Sequence, residues 1–249
     1  MEWWIYVLVV LAGVIAGFIN TLAGSGSLLT LPILIFAGLP ANIANGTNRI
    51  GILLQSIVAV GGYKQKKAFE WRDGIWLTIP AAIGAFVGAF VAVDVDEQIL
   101  NKIIGGLLVF MFFLLILNPQ KWLKEHSNEY SGKISLLKII IFLGIGFYGG
   151  FIQAGVGFFI LAGLVLGSGM DLIRANAVKV LVTLVFTVIA LSVFIYNNQV
   201  NYLLGIIMGV GNMIGAWLAT RFAVQKGAKF VHKILLACVL AFAVKLLFF

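Results

Sequence analysis

The run from Trp3 to Ala23, "WWIYVLVVLAGVIAGFINTLA", carries no charged side chain. Windows of ~20 residues like it recur along the chain, and each is long enough as a helix to cross a ~30 Å hydrocarbon core. Such windows constrain the fold more than any motif. In lipid every backbone N–H and C=O must be satisfied within the protein, so a spanning segment is a helix or part of a closed barrel. The period-two alternation of a barrel strand is missing, which leaves helices. Composition agrees: the chain is 62% hydrophobic and 10% charged, against about a quarter charged in soluble domains. The first run has no basic leader before it and no small-residue cleavage site after it, so it reads as a span rather than a removed signal peptide. The single Cys238 sits in an apolar stretch, with no disulfide framework and no cysteine metal motif.

Ten apolar segments follow one another, near residues 3–23, 24–40, 43–62, 74–93 and 98–117, then 134–154, 155–170, 175–196, 201–221 and 230–248. A polar linker, "NPQKWLKEHSNEYSGK" at 118–133, divides them into a first membrane repeat over 1–117 and a second over 134–249. The halves match in order. "GFIN" at 17–20 corresponds to "GFIQ" at 150–153, and Ala23-Gly24-Ser25-Gly26 to Ala154-Gly155-Val156-Gly157. Gly38 then falls on Gly169, Ala44-Asn45 on Ala175-Asn176, "GAFVGAFVA" at 84–92 on "GNMIGAWLA" at 211–219, and Lys102-Ile103 on Lys233-Ile234. Small residues are common in membrane helices, but five segments in register indicate an internal duplication.

With five segments per repeat, the second half must enter the bilayer from the opposite side. Basic residues cluster at 63–73, in the linker with the start of the next segment, and at 221–233. These regions hold most of the 17 basic residues, whereas "DVDE" at 94–97 is acidic and "YNNQVN" at 196–201 is uncharged. Placing the basic regions inside puts both termini outside. The fold class expected is an all-α polytopic membrane protein of two inverted repeats, with broken or re-entrant helices near the midplane. The net charge of +8 is accounted for by this anchoring to the bilayer, so no nucleic acid partner is expected.

The glycine-rich interruptions are the candidate site. Asn20, Thr21, Gly24, Ser25, Gly26 and Ser27 break the first repeat, and Gln153, Gly155 and Gly157 the second. The second and seventh segments that follow are short enough to be half-helices. Helices starting after such breaks aim free N–H groups and the positive end of the dipole into a shared cavity, a setting for a small anion. "LPANIANGTNR" at 39–49 adds Asn45, Thr47, Asn48 and Arg49, and "MDLIRANAVK" at 170–179 adds Asn176 and Lys179. Ionisable groups inside a membrane default to functional candidates. Here the deep ones are cationic, and no Asp or Glu lies within a central apolar run. Arg49 and Lys179 lie about a turn inside their segments, so snorkelling to head groups is the competing explanation. The four-residue glycine pairs Gly13/Gly17, Gly84/Gly88 and Gly211/Gly215 read as helix-contact surfaces. They serve packing within the chain or a homodimer.

Other chemistries lack their motifs. His126 and His232 are distant from each other and make no metal site. There is no H-E-x-x-H, no G-x-S-x-G and no Walker pattern, so no enzyme activity and no cofactor is expected. "GSGS" at 24–27 is not followed by Gly-Lys-Ser/Thr. The length of 249 residues leaves no room for an ATPase domain.

"NTLAGSGSLLTLPILIFAGLPANIANGTNR" from Asn20 and "GFYGGFIQAGVGFFILAGLVLGSGMDLIRANAVK" from Gly146 resemble the TauE/SafE family of membrane permeases. The resemblance covers nearly the whole chain. Its motif positions fall on Asn20, Gly24, Gly26, Ser27, Asn45, Thr47 and Asn48, and on Gln153, Gly155, Gly157, Asn176 and Lys179. It implies inner-membrane transport of a small sulfur-containing anion, sulfite, thiosulfate or an organosulfonate, with export the expected direction. The expected function is therefore a secondary transporter working by alternating access between the repeats. A channel-like pore, or an uptake permease for another anion, is the alternative. A membrane enzyme or assembly subunit would need a catalytic constellation or polar domain that the sequence does not contain.

Overall fold

The computed structural model describes residues 2–65, 71–116 and 135–222, and every regular element among them is a helix. In chain order these are α1 Trp3–Ala23, α2 Ser27–Phe36, α3 Ala41–Gln65, α4 Trp71–Val93, α5 Glu97–Ile116, α6 Leu136–Phe151, α7 Val156–Ser168, α8 Leu172–Tyr196 and α9 Tyr202–Phe222. The expected linker at 118–133 and the tenth segment at 230–248 lie outside the described residues. Among those described, five helices are long and apolar enough to cross a bilayer: α1, α4, α5, α8 and α9.

The two interruptions form where expected. α1 stops at Gly24, whose φ of +76° closes the helix with its N–H on the Asn20 carbonyl, and Gly155 at φ +71° precedes α7. A left-handed backbone strains any residue with a Cβ, which is why glycine stands at both points. α2 has 10 residues and α7 has 13, roughly 15 and 20 Å at 1.5 Å per residue, short of a full crossing. The eighth segment starts earlier than its apolar pattern indicates. Asp171 caps α8 by accepting from the Ile173 and Arg174 N–H groups, at 2.9 and 3.0 Å, so the helix begins at Leu172. That carboxylate therefore serves the helix N-terminus.

α3 and α8, 25 residues each, pack against each other at the centre. α3 is flanked by α1, α2 and α9, and α8 by α4, α6 and α7. The two tightest pairings are α1 with α9 and α4 with α6. Exchanging the first half for the second turns one set of packing partners into the other. The glycine pairs explain the closeness. A Cβ on Gly17 would sit 2.3 Å from the Asn212 carbonyl, and one on Gly215 2.1 Å from that of Val14. Across α4 and α6, Cβ atoms on Gly88 and Gly150 would lie 2.0 and 2.1 Å from the Phe147 and Ala85 carbonyls. These surfaces are spent on contacts inside the chain, where small residues let backbones touch. The outward faces carry Leu11, Ile79, Phe86, Phe90, Leu137, Ile140, Ile206 and Trp217, all exposed. So large an apolar exterior belongs in lipid.

Candidate functional site between the two helix breaks

The breaks of the two halves touch. A Cβ on Gly24 would lie 2.2 Å from the Gly157 carbonyl carbon, and one on Gly157 would lie 2.5 Å from the Gly24 Cα. Ser27, the first residue of α2, stitches them together. Its hydroxyl donates to the Gln153 carbonyl at 3.0 Å and accepts from the Gly155 N–H at 3.1 Å. Gln153 holds a left-handed φ of +66° and is buried. Its amide donates to the Thr187 hydroxyl at 2.6 Å and accepts from Arg49 at 3.3 Å.

Each central helix sends a cation to the C-terminal end of the other half's interrupted helix, with an Asn of the same helix bound to it. From α3, Asn45 donates to the Phe151 carbonyl at 2.7 Å. Arg49 donates to the Gly149 and Gly150 carbonyls at 3.0 and 2.5 Å, and to the Asn45 side chain at 3.4 Å. The guanidinium carbon also lies 4.5 Å above the Phe194 ring. From α8, Lys179 donates to the Asn20 and Thr21 carbonyls at 2.8 and 3.0 Å and to the Asn176 side chain at 2.7 Å. The last carbonyls of a helix lack intrahelical partners and carry about half a negative charge, so a cation there is favourable. Arg49 and Lys179 are 0% and 2% exposed. They cap helix ends within the protein, and neither snorkels to an interface.

A cavity lies where the breaks meet α3 and α8. It is lined by Asn20, Ser27, Gln153, Gly157 and Lys179 among the residues expected from sequence, and by Ile52, Gln55, Ser56, Val156, Val180 and Thr183 besides. The first residues of both short helices border it, and neither α2 nor α7 has a side-chain cap at its N-terminus. Its volume is about 10 Å³. That is room for about one water.

The remaining expected residues lie around the cavity without lining it. Thr21 turns back on the Gly17 carbonyl at 2.8 Å. Asn48 accepts from Thr30 at 2.6 Å, and Thr47 accepts from the Asn201 N–H at 2.8 Å at the start of α9. Gly24, Gly26 and Gly155 shape the breaks. Ser25 is buried with no hydrogen-bond partner for its hydroxyl among the described residues. Asn45 and Arg49 hold the end of α6, and Asn176 accepts from Lys179. Sequence reasoning missed Gln55, Ser56 and Thr183. Their signal was periodic. Asn48, Gln55 and Ser56 on α3, and Asn176, Lys179, Thr183 and Thr187 on α8, recur at helical spacing, one polar stripe per central helix. Among the described residues, no cluster of His, Cys, Asp or Glu could hold a metal ion.

Residues 9–246 match the family model described as "Sulfite exporter TauE/SafE". Similar proteins include a probable membrane transporter protein, ORF9, of Sinorhizobium sp. It is 30% identical over 236 residues, covering 95% of this chain and 90% of that protein. The probable membrane transporter protein YfcA of Escherichia coli K12 is 28% identical, covering 94% and 86%. A probable membrane transporter protein of Haemophilus influenzae is 26% identical, covering 88% and 86%. No solved structure matches the chain.

Proposed function

The chain is a membrane transporter of the TauE/SafE sulfite exporter family, and on that premise we propose that it moves a small sulfur-containing oxyanion by alternating access at the cavity between the breaks. The observation that carries the reading is electrostatic. Arg49 and Lys179 are buried at the junction of the halves, and among the described residues no Asp or Glu is buried with them. A cation at such depth costs roughly 2.5–3.5 kcal/mol on insertion scales. Carbonyls and helix dipoles offset part of that cost, but the net positive charge is left without a counter-ion until an anion arrives.

The two cations divide the work. Arg49 does not border the cavity, and its terminal N–H groups are all held by fixed acceptors, so it acts as a clasp on α6. Lys179 borders the cavity and supplies its charge. Asn20, Ser27, Gln153 and Gly157 shape the break side of the site, with the N-termini of α2 and α7 directed at the anion. Residues 1–117 and 134–249 are the two moving halves, in inverted orientation and joined by a cytoplasmic linker at 118–133. The protein sits in the inner membrane with both termini outside, and an inside-negative potential drives the anion outward. This is transport without covalent chemistry, so the protein is no enzyme.

The test is flux of radiolabelled sulfite in proteoliposomes, challenged with thiosulfate, a small sulfonate, sulfate and chloride. Saturable flux with counterflow, suppressed by one sulfur oxyanion, is the expected result. No flux of any sulfur oxyanion would remove the reading.

A further inference from the structure

We propose that Gln55, Ser56 and Thr183 are substrate-binding residues, and that with Lys179 they select a singly charged group with three oxygens and one apolar face over a dianion with four oxygens. The inference rests on the transport reading and deepens it.

The hydrogen bonds around the cavity point to those three side chains. On the break side Ser27 and Gln153 are engaged at both ends, and Asn20 in part. Asn20 gives its amide N–H to Gln55 Oε1 at 3.2 Å. Ser27 donates to one backbone group and accepts from another, and both ends of the Gln153 amide are bound. The ammonium of Lys179 has three acceptors for its three hydrogens. The wall made by α3 and α8 differs. The Ser56 hydroxyl is buried and has no partner among the described residues. Gln55 accepts through its oxygen, and its amide N–H groups make no hydrogen bond among the described residues. The same holds for the Thr183 hydroxyl. These residues are 2%, 1% and 6% exposed for Gln55, Ser56 and Thr183. Of these atoms the Ser56 hydroxyl is fully sealed, and a buried donor without an acceptor is costly and calls for a ligand or water. Three neutral donor groups on one wall, with four hydrogens between them, suit the oxygens of a small oxyanion.

Charge and shape narrow the ligand. Lys179 is the one ionisable side chain among the lining residues, with no carboxylate beside it. One positive charge balances one negative charge, and a second would enter a low-dielectric site unpaired. Ile52, Val156 and Val180 line the same cavity. They offer an apolar surface to the carbon of a small sulfonate, or to the lone-pair side of a pyramidal sulfur. A fourth oxygen there would be left without a donor, the circumstance in which a site discriminates most strongly.

Methanesulfonate and sulfate are matched probes, similar in size but differing in charge and in one oxygen. Labelled methanesulfonate flux into proteoliposomes, with sulfate as competitor, is measured for wild type, Ser56→Ala, Thr183→Val and Thr183→Ser. Saturable methanesulfonate flux that excess sulfate leaves unchanged is expected in wild type. Ser56→Ala and Thr183→Val should each raise the half-saturating concentration about five- to tenfold. Thr183→Ser, which keeps the hydroxyl, should return it close to wild type. Equal competition by sulfate would overturn the charge and shape selection. Unchanged half-saturation in both hydroxyl-deleting variants, with thermal stability kept, would overturn the residue assignment. A wild type that carries sulfite but not methanesulfonate would overturn the apolar-face assignment and leave transport standing. A wild type silent toward all of these anions would end the transport reading and the inference together.

Discussion

At the residue scale, Arg49 and Lys179 look alike in sequence and differ in what they leave behind when removed. The Gly149 and Gly150 carbonyls lie in the last turn of α6 and take their hydrogen bonds from Arg49 alone among the described residues. Arg49→Met orphans both, at about 1–3 kcal/mol each. A marked fall in melting temperature in detergent is expected, and Arg49→Lys should recover it only in part, because an ammonium cannot reproduce the guanidinium fork. Lys179→Met is gentler on the fold. The Asn20 carbonyl keeps the Gly24 N–H, and the Thr21 carbonyl keeps the Tyr63 hydroxyl at 3.4 Å. That variant should remain monodisperse and lose anion flux by at least about tenfold, a loss of ~1.4 kcal/mol or more in substrate stabilisation. Flux retained in Lys179→Met would remove the residue from the site.

At the element scale, close approach between backbones governs. Gly157→Val would force a branched side chain into the Gly24 backbone, where a Cβ alone already lies 2.5 Å from Cα. The two breaks must then separate, and the expected outcome is aggregated protein on size-exclusion chromatography. Gly215→Ile should likewise split α9 from α1. Gly61→Ala is the control. A Cβ there meets nothing within 4 Å, so alanine should be neutral or stabilise α3 by up to about 1 kcal/mol. Much of this layer was legible in the sequence. Gly-rich interruptions bounded the half-helices, and glycine pairs four residues apart marked the tight pairings. Local patterning reached less far into the site. Asn45 and Arg49 read as candidate ligands because their membrane depth was visible, whereas their acceptors, the end carbonyls of α6 a hundred residues later, were not. Gln55, Ser56 and Thr183 belong to neutral polar stripes, whose shared cavity becomes visible only when the two central helices are brought opposite each other.

At the scale of the whole molecule, the packing partners exchange between halves, and the account requires that the halves also be inverted. That orientation is testable by labelling single cysteines in a Cys238→Ser background. A cysteine at Asn198, between α8 and α9, should react with a membrane-impermeant maleimide added to intact cells. One at Lys64, at the end of α3, should react only in inverted vesicles. The reverse pattern would contradict the topology. In the proposed mechanism one cavity, formed where the two breaks meet, opens in turn to each side and holds the anion. Val180→Cys in the same background probes it most directly, since Val180 lines the cavity without belonging to either break. The account predicts maleimide labelling from either face of oriented vesicles, and slower labelling from both when sulfite is saturating. Labelling from one face alone, or at a rate indifferent to sulfite, would contradict it.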